Sequence, residues 1–312
     1  MEHNLYWPVY VNLEKELIKL SESIHIDDAQ LGVYSVKIAE LLIRTVVEIE
    51  SLAKNLYFAN GGTKADDKNL YFDTDCMAHL VNIWNIDKKV VLVTSSNLFF
   101  EDEANRILTP LHKSNKRGTS SADWCKAYQA IKHNRLKEFK KGNLKHFIRA
   151  LAALYILNLY YRDEKIILIS AGKEHVQDFS FGSHVFSVMK PNNIGHATLD
   201  GVYSKGKDFE EHVYVAVPDA IKYKELTKLL NEQDQSIKST LIQTIKSELQ
   251  SGKLQPTQEA ISKFLSEKRD IVTHDVILKT SREIGQKIMH LTYTAELNKR
   301  QAYFFESPKE TK

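Results

Sequence analysis

Apolar residues recur at helical spacing between Tyr34 and Leu56, where Ile38, Leu42, Thr45, Ile49, Leu52 and Leu56 form one stripe. Ser35 stands where a cap is needed and Asn60-Gly61-Gly62 where the pattern stops. A helix of roughly 25 residues, on the order of 37 Å long, is predicted there. Shorter helices are predicted from Val9 to Ser23 and from Asp73 to Trp84. "KVVLVT" (Lys89–Thr94) and "NLFF" (Asn97–Phe100) have strand composition and predict a short strand pair near 89–100. Ser120-x-x-Asp123 matches a capping box and opens a helix that the pattern carries to Lys141. Gly142 supplies its stop, and Asn143 caps a following helix that runs to Tyr161. This last helix is apolar on nearly every side (Leu144, Phe147, Ile148, Leu151, Leu154, Tyr155, Leu157, Leu159), which places it in the middle of a bundle.

Beyond Arg162 the pattern changes. "KIILIS", "HVFSVMK" and "HVYVAV" read as strands, and helices resume over Lys222–Asn231, Ser236–Gln250, Pro256–Glu267 and Val276–His290. "LTYTAEL" and "QAYFFE" fit strand or helix equally. The predicted fold is mainly α: an N-terminal up-and-down helical bundle over 1–162, then a mixed α/β lobe over 163–312 whose last helices are free to return to the bundle.

With 312 residues, 43% hydrophobic and 27% charged, the composition is that of a globular chain with a large core. The N-terminal stretch has acids and amides where an export signal needs an apolar run, and the longest apolar run, Ala150–Leu157, is too short to span a bilayer; a cytoplasmic location is expected. Cys76 and Cys125 form no C-x-x-C and no disulfide framework, and are expected to be reduced and structural.

Charge alters this picture locally. The net value is only +3, but Lys113–Arg149 holds eleven Lys or Arg against two acids, a local +9 that leaves −6 for the rest. Such a segment is either a solvated face beside a basic loop or the footprint of a phosphate-rich ligand. At 100° per residue, Trp124, Ala127, Tyr128, Ile131 and Phe139 share one side of the helix, and Lys126, His133, Lys137 and Lys140 the other. His133 is therefore expected to face away from the core, as a plain surface histidine or as a proton-transfer or phosphate-contacting group; neighbouring lysines favour the neutral imidazole that a general base needs. Arg135 projects onto the aromatic side and would need Glu138 or a cleft between helices to satisfy its charge.

The segment W-x3-Y-x3-KH-x-R (Trp124 to Arg135), the Gly142-Asn143 break, "ALAALYILNLYY" and the preceding "YSVKIAELLIRTVVEIESLAK" together resemble bacterial HEPN-like proteins over about residues 5–162. The resemblance implies a helical bundle that forms a homodimer and an RNA-directed role in an anti-phage or toxin system, in many members as a metal-independent endoribonuclease. It makes His133 the candidate base and Arg135, Lys126 and Lys132 phosphate partners, with Lys137, Lys140, Lys141 and Lys145 extending a nucleic-acid face for RNA more than DNA. No metal, cofactor or membrane enters that reading. The family's Arg-x4–6-His signature is absent from this helix, Lys126 being the nearest substitute, so a non-catalytic nucleic-acid or protein interaction module is the alternative. Arg106 with His112, and Arg269-Asp270 with His274, match the spacing elsewhere, at about the frequency chance provides. No G-x-G-x-x-G, Walker loop, H-E-x-x-H or G-x-S-x-G occurs. Asp73 and Asp75 read as helix-start residues, Glu210, Glu211 and His212 as a solvated strand edge, and Trp7 and Trp84 as core.

Overall fold

The computed structural model describes residues 4–65, 69–169, 178–191, 195–197, 203–206 and 208–299; "QAYFFE" lies outside them. The protein is mainly helical, with eight α-helices and several small β-sheets among the described residues. In chain order these begin with α1 (Tyr6–Ser21), β1 (Ile26–Asp27), α2 (Val36–Ala59), α3 (Ala78–Trp84), β2 (Val91–Val93), β3 (Leu98–Phe99), α4 (Glu103–Arg106) and β4 (Ile107–Leu108). Then come α5 (Asp123–Glu138), α6 (Leu144–Arg162), β5 (Ile166–Ile169), β6 (Phe186–Val188), β7 (Gly195–Ala197), β8 (Tyr203–Lys205), β9 (Tyr214–Pro218), α7 (Ala220–Gln250), α8 (Gln258–Met289) and β10 (Tyr293–Leu297). No helix among the described residues is long and apolar enough to cross a membrane.

The predicted stripe of α2 is the buried one: Ile38, Leu42, Thr45, Ile49, Leu52 and Leu56 are all inside. Ser35 caps the helix, its Oγ accepting from the Ile38 N–H at 3.2 Å. α6 is buried around its circumference and packs against α2, α1 and α5. Asn143 caps it as expected, Oδ1 accepting from the His146 N–H at 3.1 Å. Gly142 is required there for closeness, since a Cβ would stand 2.6 Å from the Ala39 Cβ on α2. The capping box is corrected: Ala122 occupies the cap of α5 without a side-chain bond, and the Asp123 carboxylate accepts from the Trp124 N–H at 2.8 Å and pairs with Arg149. The chain turns through a 3-10 segment, Gly118–Ser120, which carries Ser120 out of the capping position.

"KVVLVT" and "NLFF" form strands but do not pair with each other. β2 is flanked antiparallel by β4 (Val91↔Leu108) and β6 (Val91↔Val188), so both of its edges are taken, and β3 pairs parallel with β1 (Ile26↔Leu98). β7 and β8 form an antiparallel pair, and β10, the strand within "LTYTAEL", lies between β5 and β9.

The chain divides into two compact units, and their boundary differs from the expected one near 162. The first unit takes the described residues up to 166 and those in 178–217 and 295–299; the second takes 167–169 and 218–294. β6 belongs with the bundle because it completes the β2 sheet and because Glu14 of α1, fully buried, binds the segment before it. The Glu14 Oε1 accepts from the Tyr10 hydroxyl at 2.8 Å, from the Ser183 hydroxyl, and from the His184 and Val185 N–H groups at 3.0 and 3.1 Å. The Ser183 Oγ also accepts from the Val185 N–H at 3.2 Å and the Phe186 N–H at 2.9 Å, so the carboxylate and the hydroxyl together hold this segment.

In the second unit the four expected C-terminal helices are two. No Gly or Pro interrupts residues 231–236 or 267–276, and polar residues continue the helix with pairs such as Asp234–Lys238 at 2.6 Å. α7 and α8 pack on each other, Leu226, Ile284 and Leu291 forming the core with Tyr223, Leu229 and Tyr293.

Gly142→Ala is expected to destabilise the protein by about 1–3 kcal/mol through overpacking against Ala39, measured as a lowered urea midpoint with the slope unchanged.

Candidate nucleic-acid interface

Trp124, Ala127, Tyr128 and Ile131 anchor α5 in the core, and the Trp124 Nε1–H donates to the Pro110 carbonyl at 2.8 Å. The other face begins as projected, with Lys126 and His133 exposed; Lys132, also exposed, lies over the Tyr128 ring at 5.4 Å. At Asn134 the backbone leaves the helical region (φ −148°, ψ 68°), and the Asn134 Oδ1 accepts from the Lys137 N–H at 3.4 Å, starting a new turn. Asn competes with the helix in this way because its short side chain reaches the backbone a few residues on. Residues 135–138 follow from that new turn, and Phe139–Lys141 form a 3-10 segment.

The break overturns the expectation for Arg135. A 100° projection holds only along one continuous helix, and beyond Asn134 the phase is reset, so Arg135 is exposed instead of lying on the aromatic side. Leu136 next to it is 95% exposed. Lys137 and Lys140 are also exposed but lie past the break, so they do not continue the face of Lys126 and His133. Lys141 is exposed and pairs with Glu138 at 2.7 Å, while Lys145 on α6 is half-buried.

A cavity of about 970 Å³ opens between α2, a π-helical turn at Phe72–Met77, residues 117–121 and α5. His133, Lys126 and Lys141 line it; Arg135, Lys132, Lys137, Lys140 and Lys145 do not. Opposite them stand Glu50 and Lys54 of α2, and at one end Tyr71, Asp73 and Arg117. Arg117 grips Asp73 with two bonds, Nε to Oδ2 at 2.8 Å and Nη2 to Oδ1 at 2.5 Å, and its guanidinium lies 4.0 Å from the centre of the Tyr71 ring. Burial works to raise the Asp73 carboxyl, but the Arg117 guanidinium and the Thr74 N–H outweigh it and hold the group below its usual range. Asp75 is engaged likewise, by Lys64 at 2.5 Å and the Tyr71 N–H at 2.8 Å. Both acids open the π-helical turn, as expected, and each also ties it to a cation.

Glu50 is the group that inspection of the chain passes over. It is half-buried, and among the described residues it has neither a hydrogen bond nor an ion pair. Burial raises its carboxyl and Asp73 adds to this, with Lys132 and Lys54 pulling the other way. Its one sequence signal is position: Val47, Glu50 and Lys54 run along α2 on the flank of the apolar stripe. Cys76 and Cys125 are buried on the cavity wall and are not joined in a disulfide, and burial pushes the Cys125 thiol up, away from the reactive thiolate.

The other candidates do not converge on this cavity. Arg106 and His112 are exposed and outside its lining. Arg269 and His274 are exposed on α8, where a five-residue interval turns them about 140° apart. His212 corrects the reading of a solvated edge: it is buried, and burial holds its imidazole below the usual range although Asp208 is 3.8 Å away. Trp84 is core and Trp7 only half-buried, under the Arg162 guanidinium at 4.0 Å. Among the described residues no group of three His, Cys, Asp or Glu is placed to hold a metal ion. No protein-family model, curated protein or solved structure matches the chain.

A carboxyl raised in the folded state costs stability once it ionises. That cost is absent below its ordinary value of 4.5 and complete above the raised one. Glu50→Gln is therefore expected to stabilise the protein at pH 7.5, with the gain shrinking as the pH falls towards 4.5; urea midpoints of both proteins across this range measure it, and an equal gain at every pH would remove the raised carboxyl.

Proposed function

We propose that the chain is an RNA-directed protein of the HEPN-like kind, acting in a bacterial anti-phage or toxin system and binding single-stranded RNA at the cavity between α2 and α5. The observation that carries this reading is that His133, Lys126 and Lys141 line one cavity of about 970 Å³, large enough for a nucleotide. Tyr71 on its edge is 45% exposed with the Arg117 guanidinium over its ring, and a guanidinium plane is itself a surface on which an unpaired base stacks. Lys132, Arg135, Lys137 and Lys140 are exposed nearby in the chain and, with Lys145, extend the positive field to flanking phosphates. A duplex keeps its bases stacked inside and would leave such a cavity empty, which favours single strands.

A second reading, metal-independent cleavage, is favoured by the fact that His133 and Glu50 line the same cavity. His133 would accept the proton of a ribose 2′-hydroxyl as its oxygen attacks phosphorus. The Glu50 carboxyl, biased by burial towards its protonated form, would return a proton to the departing 5′-oxygen. Lys126 and Lys141 would face the charge of the phosphorane. Arg135 has no place in that chemistry and serves as an outer phosphate contact.

Binding of a fluorescent single-stranded RNA across a salt series tests the first reading. Affinity should fall with salt, and Lys126→Ala should reduce the logarithmic slope by roughly 0.7; absence of binding at low salt would overturn it. Incubation of the same RNA in EDTA tests the second: cleavage should fall on the order of 10²-fold or more in His133→Ala. Undiminished cleavage excludes the histidine, and binding without turnover leaves the non-catalytic module.

A further inference from the structure

The two-helix unit carries an apolar stripe on the side of α8 turned away from α7. Thr273 and Ile284 are buried and the Thr280 hydroxyl accepts from the Gln233 side chain at 2.5 Å, which marks the face towards α7. Opposite them, Phe264, Ile271, Leu278 and Met289 fall within an arc of about 60°. Ile271 is 74%, Leu278 58% and Met289 70% exposed, on a helix whose remaining outer positions are mostly polar. Glu267 and Arg282 lie within the same arc, and neither has an ion-pair partner among the described residues.

We propose that this stripe binds the same stripe of a second copy of the chain, with the two α8 helices antiparallel about a two-fold axis passing between His274 and Asp275. The choice of a second copy rests on self-complementarity. Residues equidistant from that point meet across the axis: Ile271 meets Leu278, Glu267 meets Arg282, Phe264 meets Gly285 and Ala260 meets Met289, and each pairing occurs twice. Charge is matched by opposite charge, and each large side chain at the ends faces a small residue. Gly285 is half-exposed with open space where a Cβ would lie, a hollow for the Phe264 ring. A parallel pairing would set Glu267 on Glu267 and Arg282 on Arg282, so charge selects the antiparallel arrangement. The stripe runs about 38 Å along the helix, and among the described residues of the two helices Leu226, Thr273 and Ile284 are the buried ones, so the outer apolar positions remain for association. This surface is separate in sequence from the helices that carry the RNA reading and stands without it.

Sedimentation equilibrium of the full chain tests the proposal. The protein should be a dimer, and Ile271→Asp should weaken association by roughly 30-fold. Glu267→Arg and Arg282→Glu should each weaken it, and the two combined should restore it, a recovery that unfolding cannot mimic. His274→Cys, next to the axis, should give a disulfide-linked dimer under oxidation. A monomer at all concentrations, a dimer indifferent to Ile271→Asp, or a double charge swap no better than the single ones would overturn it.

Discussion

A helix that is apolar around its whole circumference has one place to go, and α6 takes it. From Leu144 to Tyr160 fourteen of its residues are buried, each large one worth about 1.5–3 kcal/mol of transfer from water before chain entropy is charged against it. α2, α1 and α5 pack around it because each carries one apolar stripe that needs covering. The connection into α6 is as constrained as the helix itself. Gly142 lies against Ala39, Asn143 caps the helix and bridges to Tyr34, and the Leu144 N–H donates to the Val33 carbonyl at 3.0 Å. α5 therefore meets α2 at a set distance, and the cavity is the space their polar flanks leave between them.

The electrostatics of that space are mixed. Arg117 is neutralised by Asp73, and Lys141 is shared with Glu138, so the cations that line the cavity are less free than their number suggests. Lys126 donates to the Thr119 carbonyl at 3.5 Å and is in no ion pair among the described residues. Glu50 is the counterweight, a carboxyl that burial raises above its ordinary range. The two proposed readings, binding and cleavage, draw on the same lining: Glu50, His133 and Lys126.

Much of the scaffold was legible from local pattern. Ser35 and Asn143 as caps and the stripe of α2 depend on residues three or four apart, and spacing alone reveals them. His133 was legible as exposed because the helix before it is regular. Arg135 was not, because one side-chain bond from Asn134 resets the helical phase, and periodicity assumes a phase that never resets. The partners of β2 and β3 were hidden for another reason: β6 lies far along the chain, and pairing depends on which edges remain open once the bundle has formed. The continuity of α7 and α8 was missed because long polar stretches weaken the apolar signal while leaving helix propensity intact.

The amino-acid order by itself determined α2 and α6, their caps at Ser35 and Asn143, the buried character of α6 and the concentration of positive charge between Lys113 and Arg149, all of which are read from residues close together in the chain. Only the tertiary structure decided that Glu50, Asp73, Arg117, Lys126 and His133 surround one cavity and that Glu14 draws residues 183–185 into the bundle. Those outcomes depend on contacts between segments tens to more than a hundred residues apart, selected by burial and by the need of each buried polar group for a partner, and no local pattern encodes which distant segment will supply it.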